Sequence, residues 1–350
     1  MFQKRNFARL SLKMILITAI LGITSFVFGD ILTVHFIDVG QGDSIFVQAP
    51  DGQTMLIDAG LSNGKAENYL KSLGVEIVDI IVATHLHADH VGGLPGIIEN
   101  FNVGQIVTPQ ADSIKPTTYK RLSKSIEDHG LQETKWKAGA ALDLGDVTVE
   151  CLAPNSELYK NINDSSIVLK LTYGEVSFLL TGDASKDSEK EMVDIHQDSL
   201  DSNILKIGHH GSSSSSTAAF MEAVNPQIVV FLLGDNTYDH PHEEVWDRVS
   251  GLAVFRTDLQ DTIIFTTDGE TINSYSTSEN GQYVELASYR GARRLDFVTA
   301  PPAVTQPFAR NTVYMTKAAK TYHRCGCRNL NRLSILLNRI QSIGCSRVCR

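Results

Sequence analysis

Cysteine is almost missing from the body of this sequence. Cys151 stands alone in the first 324 residues, and the other four, Cys325, Cys327, Cys345 and Cys349, crowd the end of the chain. A body with one thiol cannot be stapled by disulfides, so Cys151 reads as a core thiol. Long hydrophobic runs are equally scarce. The one uncharged stretch, Met14 to Phe28, follows Lys4, Arg5, Arg9 and Lys13; its 15 residues are short for a membrane span and suit the apolar centre of an export signal. Cleavage is expected near Val27-Phe28-Gly29, with an uncleaved N-terminal anchor as the alternative. No later run is long enough to cross a bilayer. The rest of the chain is therefore expected outside the cytoplasm, secreted, periplasmic or extracellular, and tied to a membrane only if the signal stays. Internal repeats are absent, and 42% hydrophobic with 20% charged residues excludes a disordered or fibrous chain.

Positive charge is short as well, and unevenly placed. The net charge is −9, but residues 290–350 hold twelve Lys/Arg against the single acid Asp296, so that segment carries +11 and the first 289 residues carry −20. An acidic body with a basic tail would meet a polyanion tail first; a tail that only keeps the chain soluble is the alternative.

What is present after Asp30 is a succession of short β runs and helical stretches. Leu32–Val39, Ser44–Ala49 and Thr54–Asp58 read as strands broken by Gly40-Gln41-Gly42 and Pro50-Asp51-Gly52. Ala66–Leu73 reads as a helix and Ile77–Thr84 as a buried strand; a helix is expected after His90, then the strand Gln105–Val107 and a polar helix near Tyr119–Gly130. Later strands are predicted at Ser166–Leu171, Val176–Thr181, Asn203–Ile207, Ile228–Leu232 and Val254–Arg256, with helices at Thr217–Val224 and Glu243–Val249. Two sheets packed face to face, with helices outside, suit this α/β pattern. The periodicity fades beyond Thr277, and Pro301, Pro302 and Pro307 suggest a linker. The expected division is a signal or anchor over 1–29, a catalytic body over 30–278, a linker over 279–310 and a small basic Cys/His module over 311–350.

The chemistry concentrates in Thr84-His85-Leu86-His87-Ala88-Asp89-His90-Val91-Gly92-Gly93, just where a buried strand ends. Imidazole and carboxylate suit a divalent cation such as zinc, with manganese also possible. His85 and His87 can point one way from an extended segment, and Asp89 and His90 can reach a second ion after the turn.

This segment resembles the H-x-H-x-D-H signature of the metallo-β-lactamase superfamily. Leu56-Ile57-Asp58-Ala59-Gly60, Thr181-Gly182-Asp183 and Ile207-Gly208-His209-His210-Gly211-Ser212 fall in that family's order. Asp38-Val39-Gly40-Gln41-Gly42-Asp43-Ser44 and Asp239-His240-Pro241 resemble, more narrowly, the extracellular hydrolase domain of ComEC-type DNA-uptake proteins, over roughly residues 31–277. The resemblance implies an αββα sandwich of two mixed sheets with outer helices, and two divalent ions. His85 and His87 would hold one ion, Asp89 and His90 the other, and Asp183 would bridge them. One of His209 and His210 would complete the second ion, and Asp58 would orient the histidine loop by hydrogen bonds. The third histidine that many members carry between loop and bridge has no counterpart except His129, which reads as a surface residue. The ComEC-like pattern has Asn163-Asp164-Ser165-Ser166 there, making Asp164 an oxygen ligand of the first ion; the alternative is an open position on that ion, with Asp164 only turning the chain before a strand.

Two ions sharing Asp183 would activate water without a dedicated base and neutralise charge on a phosphodiester, with Asp89 at the reacting centre. His240, or whichever of His209 and His210 is not a ligand, would protonate the leaving oxygen, though a plain loop histidine explains His240 as well. Ser212–Ser216 would offer hydroxyls or N–H groups to a phosphate at the next helix, or form a flexible loop. In the tail, Thr321-Tyr322-His323-Arg324-Cys325-Gly326-Cys327-Arg328-Asn329-Leu330 followed by Cys345 and Cys349 resembles a small Ada-type metal-binding module; His323, Cys327, Cys345 and Cys349 would then hold a structural zinc, with disulfides as the alternative. The function expected is an exported metal-dependent nuclease with nucleic acid as substrate. The alternatives are a choline-phosphate or other small-molecule phosphodiesterase, hydrolysis of a lactam, lactone or thioester, and a non-catalytic nucleic-acid-binding module. No protein partner can be inferred.

Overall fold

A computed structural model describes residues 31–110, 116–277 and 283–289, and the backbone of 290, 296–299, 313–315 and 322–324. The export segment and the tail residues Cys327, Cys345 and Cys349 lie outside these residues.

The chain starts as a meander of β1 (Leu32–Phe36), β2 (Ile45–Gln48) and β3 (Thr54–Ile57), all antiparallel neighbours. Helix α1 (Lys65–Ser72) crosses over to β4 (Ile77–Val82), parallel to β3. Two short helices, α2 (Ala88–Val91) and α3 (Leu94–Asn100), lead to β5 (Asn102–Pro109), and α4 (Thr117–Asp128) leads to β6 (Glu133–Trp136); both strands extend the sheet in parallel. A second sheet opens with β7 (Ala141–Leu144), β8 (Val147–Ala153), β9 (Val168–Tyr173) and β10 (Val176–Leu180), again antiparallel. It continues in parallel through α5 (Lys186–Leu200), β11 (Ile204–Lys206), α6 (Ala218–Val224), β12 (Ile228–Phe231), α7 (Glu243–Arg248) and β13 (Ala253–Arg256). Finally β14 (Ile263–Thr267) and β15 (Thr271–Thr277) return to the first sheet beside β1.

Period-two alternation builds the layers. Leu32, Val34 and Phe36 of β1 meet Phe178 and Leu180 of β10 between the sheets. The opposite face of the first sheet, with Phe46, Leu56, Val78 and Ile81, packs on Leu70, Ile97 and Leu122 of its helices. Leu179, Leu205 and Val229 of the second sheet pack on Met192, Phe220 and Val245 of α5, α6 and α7. Strands covered on both faces read as nearly unbroken apolar runs, and each buried Leu, Val or Phe side chain contributes about 1.5–3 kcal/mol of transfer free energy. The result is an αββα sandwich of two mixed sheets.

The domain does not end at Thr277. Strand β16 (Tyr283–Arg290) pairs with β15, β17 (Asp296–Thr299) pairs with β16, and Ala287 and Tyr289 are buried in the intersheet core. The linker expected from residue 279 is corrected by this pairing: backbone partners and two core side chains make 283–290 part of the sheet. A separate hairpin, β18 (Val313–Met315) with β19 (Tyr322–Arg324), carries His323 opposite Tyr314.

Candidate metal centre

Each ligand-type side chain sits just past the end of a central strand, the position where an open α/β sheet presents groups to a crevice. Asp58 follows β3, the His85–His90 loop follows β4, Asp183 follows β10 and His209–His210 follow β11. Asp58, His209 and His210 are non-glycine residues held at φ of 57°, 48° and 54°. Such strain persists only where the surroundings over-determine it.

Asp58 organises the first side. Its Oδ1 accepts the Thr84 N–H at 2.8 Å, and its Oδ2 accepts Thr84 Oγ1 at 2.6 Å and His90 Nδ1 at 2.7 Å. His90 therefore turns Nε2 toward Asp183 Oδ1, 3.2 Å away. His210 is fixed the same way: its Nδ1 donates to the Leu232 carbonyl at 2.8 Å, and its Nε2 lies 3.5 Å from Asp183 Oδ1 and 3.3 Å from Asp89 Oδ2. Asp89 is held through the backbone. Asp43 N–H donates to the Asp89 carbonyl at 3.1 Å, an approach that requires Gly42, where a Cβ would come 2.2 Å from that same oxygen.

The other Asp183 oxygen serves a different group. Oδ2 lies 3.8 Å from His85 Nε2 and 3.7 Å from His209 Nε2. His87 Nδ1 is 3.0 Å from His85 Nε2. Asn163, in the turn Ile162–Ser165, completes this side, its Nδ2 3.3 Å from His209 Nε2 and its buried Oδ1 without a hydrogen-bond partner. The ring of His240 stands 5.6 Å from that of His209, with Nδ1 buried and unpartnered.

The electrostatics differ across Asp183. Burial opposes charge on His90 and His210, yet Asp183, with Asp58 and Asp43 around them, holds His90 well above the ordinary histidine value and His210 up to about 10. Burial likewise opposes ionising Asp183, but His210 and His90 outweigh it and keep its carboxyl well below the usual range. Asp89 is lowered too, burial being overcome by the neighbouring His210 and His90. On the Oδ2 side burial wins: His85, His87 and His209 are all lowered, and His240 falls to about 4 through burial and the neighbouring His209 and His242. These are neutral imidazoles with lone pairs to offer.

The residues fit divalent cations. Asp43, His90, Asp183 and His210 bring ligand atoms within 4.8 Å of one another, and so do His85, His87 and Asp183. His90 Nε2, His210 Nε2 and Asp183 Oδ1 are buried with no hydrogen-bond partner. Three orphaned donor atoms facing one another are costly unless a cation satisfies them. Within the first group Asp43 approaches the Nδ1 edges, 3.3 Å from His210 and 3.9 Å from His90, so it backs the two rings while Asp89 meets His210 at Nε2.

The structure separates the sequence-predicted residues. His85, His87, Asp89, His90, Asp183, His209, His210 and His240 converge on one crevice, with Asp58 behind. Asp164 does not join them, which corrects its place as an oxygen ligand. Its Oδ1 accepts the N–H groups of Ser185 at 3.1 Å and Ser188 at 3.2 Å, capping α5. Its neighbour Asn163 takes the position instead. In the serine run the N–H groups at the start of α6 are taken, Ser216 and Thr217 donating to the Glu189 carboxylate, which corrects that part of the expectation. His129 is exposed on α4's end. The side chain of His323 and the three tail cysteines lie outside the described residues.

Two residues escaped sequence reasoning. Asp43 sits in the quoted Gly-Gln-Gly-Asp-Ser turn, and fully buried Lys206 donates to Asp43 Oδ2 at 2.6 Å and to the Gly182 carbonyl at 2.7 Å. A lone lysine inside the apolar run Asn203–Ile207 was the available signal, because a buried ammonium demands a partner.

Residues 37–234, more than half of the chain, match the family model described as Metallo-beta-lactamase superfamily. The ComE operon protein 3 of Bacillus subtilis (strain 168) is 30% identical over 252 residues, covering 66% of this chain and 32% of that protein. The competence protein ComA of Neisseria gonorrhoeae is 32% identical over 236 residues, covering 65% of this chain and 31% of that protein. The match thus spans about a third of either relative's length. The solved metallo-beta-lactamase fold protein YhfI from Bacillus subtilis aligns at a TM-score of 0.48 and 14% identity, over 68% of this chain and 100% of that one. The chain belongs to the metallo-β-lactamase superfamily.

Proposed function

We propose that this superfamily member is an exported, divalent-cation-dependent hydrolase of phosphodiester bonds acting on nucleic acid. One observation carries the proposal: Asp183 divides its two oxygens between His90 with His210 and His85 with His209. A shared carboxylate between two nitrogen-rich pockets suits a pair of ions, and zinc or manganese fits the donor set. Asp89, His90, His210 and Asp183 would hold one ion, and His85, His87 and Asp183 the other. When bound, such ions supply Lewis acidity toward phosphoryl oxygens and an acidified water.

The protein's own groups orient and move protons. Asp58 and the Leu232 carbonyl lock the tautomers of His90 and His210. His240, neutral and with an unpartnered Nδ1, can take the proton released by the attacking water and pass it to the leaving oxygen. The relative named a competence protein supports DNA as the polymer, and the basic tail would help retain it. The −20 charge of residues 1–289 favours a second reading, a small phosphodiester such as a choline-phosphate ester. Export rests on the N-terminal sequence alone.

The test is the metal-loaded full chain with labelled single- and double-stranded DNA, beside Asp183→Ala. Cleavage lost with EDTA and in the variant is the expected result. Intact DNA and RNA, with bis-p-nitrophenyl phosphate still hydrolysed in an Asp183-dependent way, would move the substrate to a small molecule.

A further inference from the structure

Tyr238 is 65% exposed, one of the few large apolar side chains left in solvent among the described residues. It is not isolated. Its ring stacks on His240 with centroids 5.6 Å apart and planes 30° apart, and His240 meets His209 edge-on at 5.6 Å and 73°. His209 in turn reaches Asp183 Oδ2 at 3.7 Å. An aromatic staircase therefore runs from the shared carboxylate out to solvent.

The staircase is built on a fixed loop. Asn236 Oδ1 accepts the N–H groups of Tyr238 at 3.1 Å and His240 at 3.0 Å, while its Nδ2 donates to the carbonyls of Gly234 at 3.0 Å and His240 at 3.1 Å. Asp239, between the two rings, is held at φ 59°. Ser213 N–H donates to His242 Nδ1 at 2.8 Å, and the His242 ring supports His240 edge-on at 4.8 Å. A rigid, partly exposed aromatic surface loses little entropy when a flat group settles on it.

The charges nearby say what kind of contact must supply affinity. The loop carries Asp235, Asp239, Glu243 and Glu244, and no lysine or arginine between Gly234 and Trp246. Phosphate contacts from basic side chains are therefore not what this rim offers a polyanion. Stacking is tolerant of sequence and independent of charge.

We propose that Tyr238, backed by His240, is a stacking subsite for an unpaired nucleobase flanking the phosphodiester that is cut. The subsite rests on the phosphodiesterase function proposed above, and it adds a reason for single strands to be preferred, since a paired base has no free face to lay on the ring.

The test uses two chromogenic diesters sharing one leaving group, thymidine 5′-(p-nitrophenyl phosphate) and methyl p-nitrophenyl phosphate, with the metal-loaded full chain and its Tyr238→Ala and Tyr238→Trp variants. Tyr238 is exposed, so neither variant threatens the core. The expected result is a KM for the thymidine ester about tenfold below that for the methyl ester, lost in Tyr238→Ala through KM with kcat unchanged, and kept in Tyr238→Trp. An equal preference in wild type and Tyr238→Ala overturns the subsite, as does no preference in wild type. If Tyr238→Ala instead weakens p-nitrophenyl phosphorylcholine alone, the ring reads a quaternary ammonium and the nucleobase subsite is overturned. Should neither diester be hydrolysed, the phosphodiesterase function fails separately, and anisotropy decides the subsite. In EDTA, fluorescein-labelled oligo-dT should then bind Tyr238→Ala about tenfold more weakly than wild type, with a matched abasic strand unaffected; identical binding of both strands by both proteins overturns it.

Discussion

The two flanks of Asp183 use the same residue types in opposite environments. On the Oδ1 flank, His90, His210, Asp43 and Lys206 are all at most 2% exposed, and His90 and His210 each have Nδ1 bound to a fixed acceptor. On the Oδ2 flank, His87 is only partly buried, His209 is 25% exposed at its side chain, and Asn163 offers an unbound oxygen. One flank is a charged pocket whose two histidines are buried and supported, with Asp89 alone reaching solvent at 28% of its side chain. The other holds neutral imidazoles that run from fully buried His85 to the half-open His209 and on to the aromatic rim. A hydrolase needs both: a cation that stays, and a cation that a substrate can reach.

The harshest way to break this contrast is Asp183→Ala, which removes the group both flanks share. It should empty both positions and lower diester hydrolysis by at least about a thousandfold, read by metal content and by bis-p-nitrophenyl phosphate turnover. One cation retained at full affinity would show that the flanks are independent.

Lys206→Met probes the charged flank without touching a ligand. It strands the Asp43 carboxylate in the interior and should cost about 3–5 kcal/mol in urea unfolding of the metal-free chain. A loss under about 1 kcal/mol would mean water reaches Asp43 and the pocket is not closed.

His210→Ala set against His87→Ala sharpens the comparison directly. Calorimetric titration with zinc should show two binding events about 10–100-fold apart in affinity, as outer hydrogen-bond partners commonly produce. His210→Ala should delete the tighter and His87→Ala the weaker. The reverse assignment sinks the contrast.

The smallest effect separates two adjacent residues. Asp164→Ala should cost about 1 kcal/mol in thermal unfolding, as a lost helix cap does, with zinc stoichiometry unchanged. Asn163→Ala should leave the helix intact and weaken the looser zinc about tenfold. If Asp164→Ala is the one that loses zinc, the turn is placed wrongly.

Much of this was legible beforehand, for identifiable reasons. The His85–His90 loop packs its ligand types into six positions at the end of an apolar strand, so local spacing is enough to announce it. Strands such as Ile77–Val82 and Ile228–Phe231, buried on both faces, were legible from unbroken apolar runs. Helix α5 was not, because it buries Ser188 and Glu189 beside Met192 and Leu200 and so lacks a clean apolar stripe. The choice between Asn163 and Asp164 could not be made from sequence, since it depends on where α5 starts: Asp164 is drawn to the N–H groups of Ser185 and Ser188, which leaves its neighbour to face His209. Strand β16 escaped because Tyr283, Val284 and Glu285 are exposed and only its second half, Leu286, Ala287 and Tyr289, packs on the core. Asp43 and Lys206 are brought together by tertiary packing across 163 residues of chain (43 to 206), which no local pattern encodes.

His90 belongs to the first sheet's loops and His210 to the second's. An ion held by both would close a circuit of some 120 residues (90 to 210), in a body whose only cysteine, Cys151, is buried and free. Such an ion binds only the folded arrangement, so it stabilises by its binding free energy, about 2.7 kcal/mol when free metal is about 100 times the dissociation constant. The cation is then a removable cross-link between the two halves of the sandwich, and the melting temperature of the protein becomes a gauge of the free metal around it.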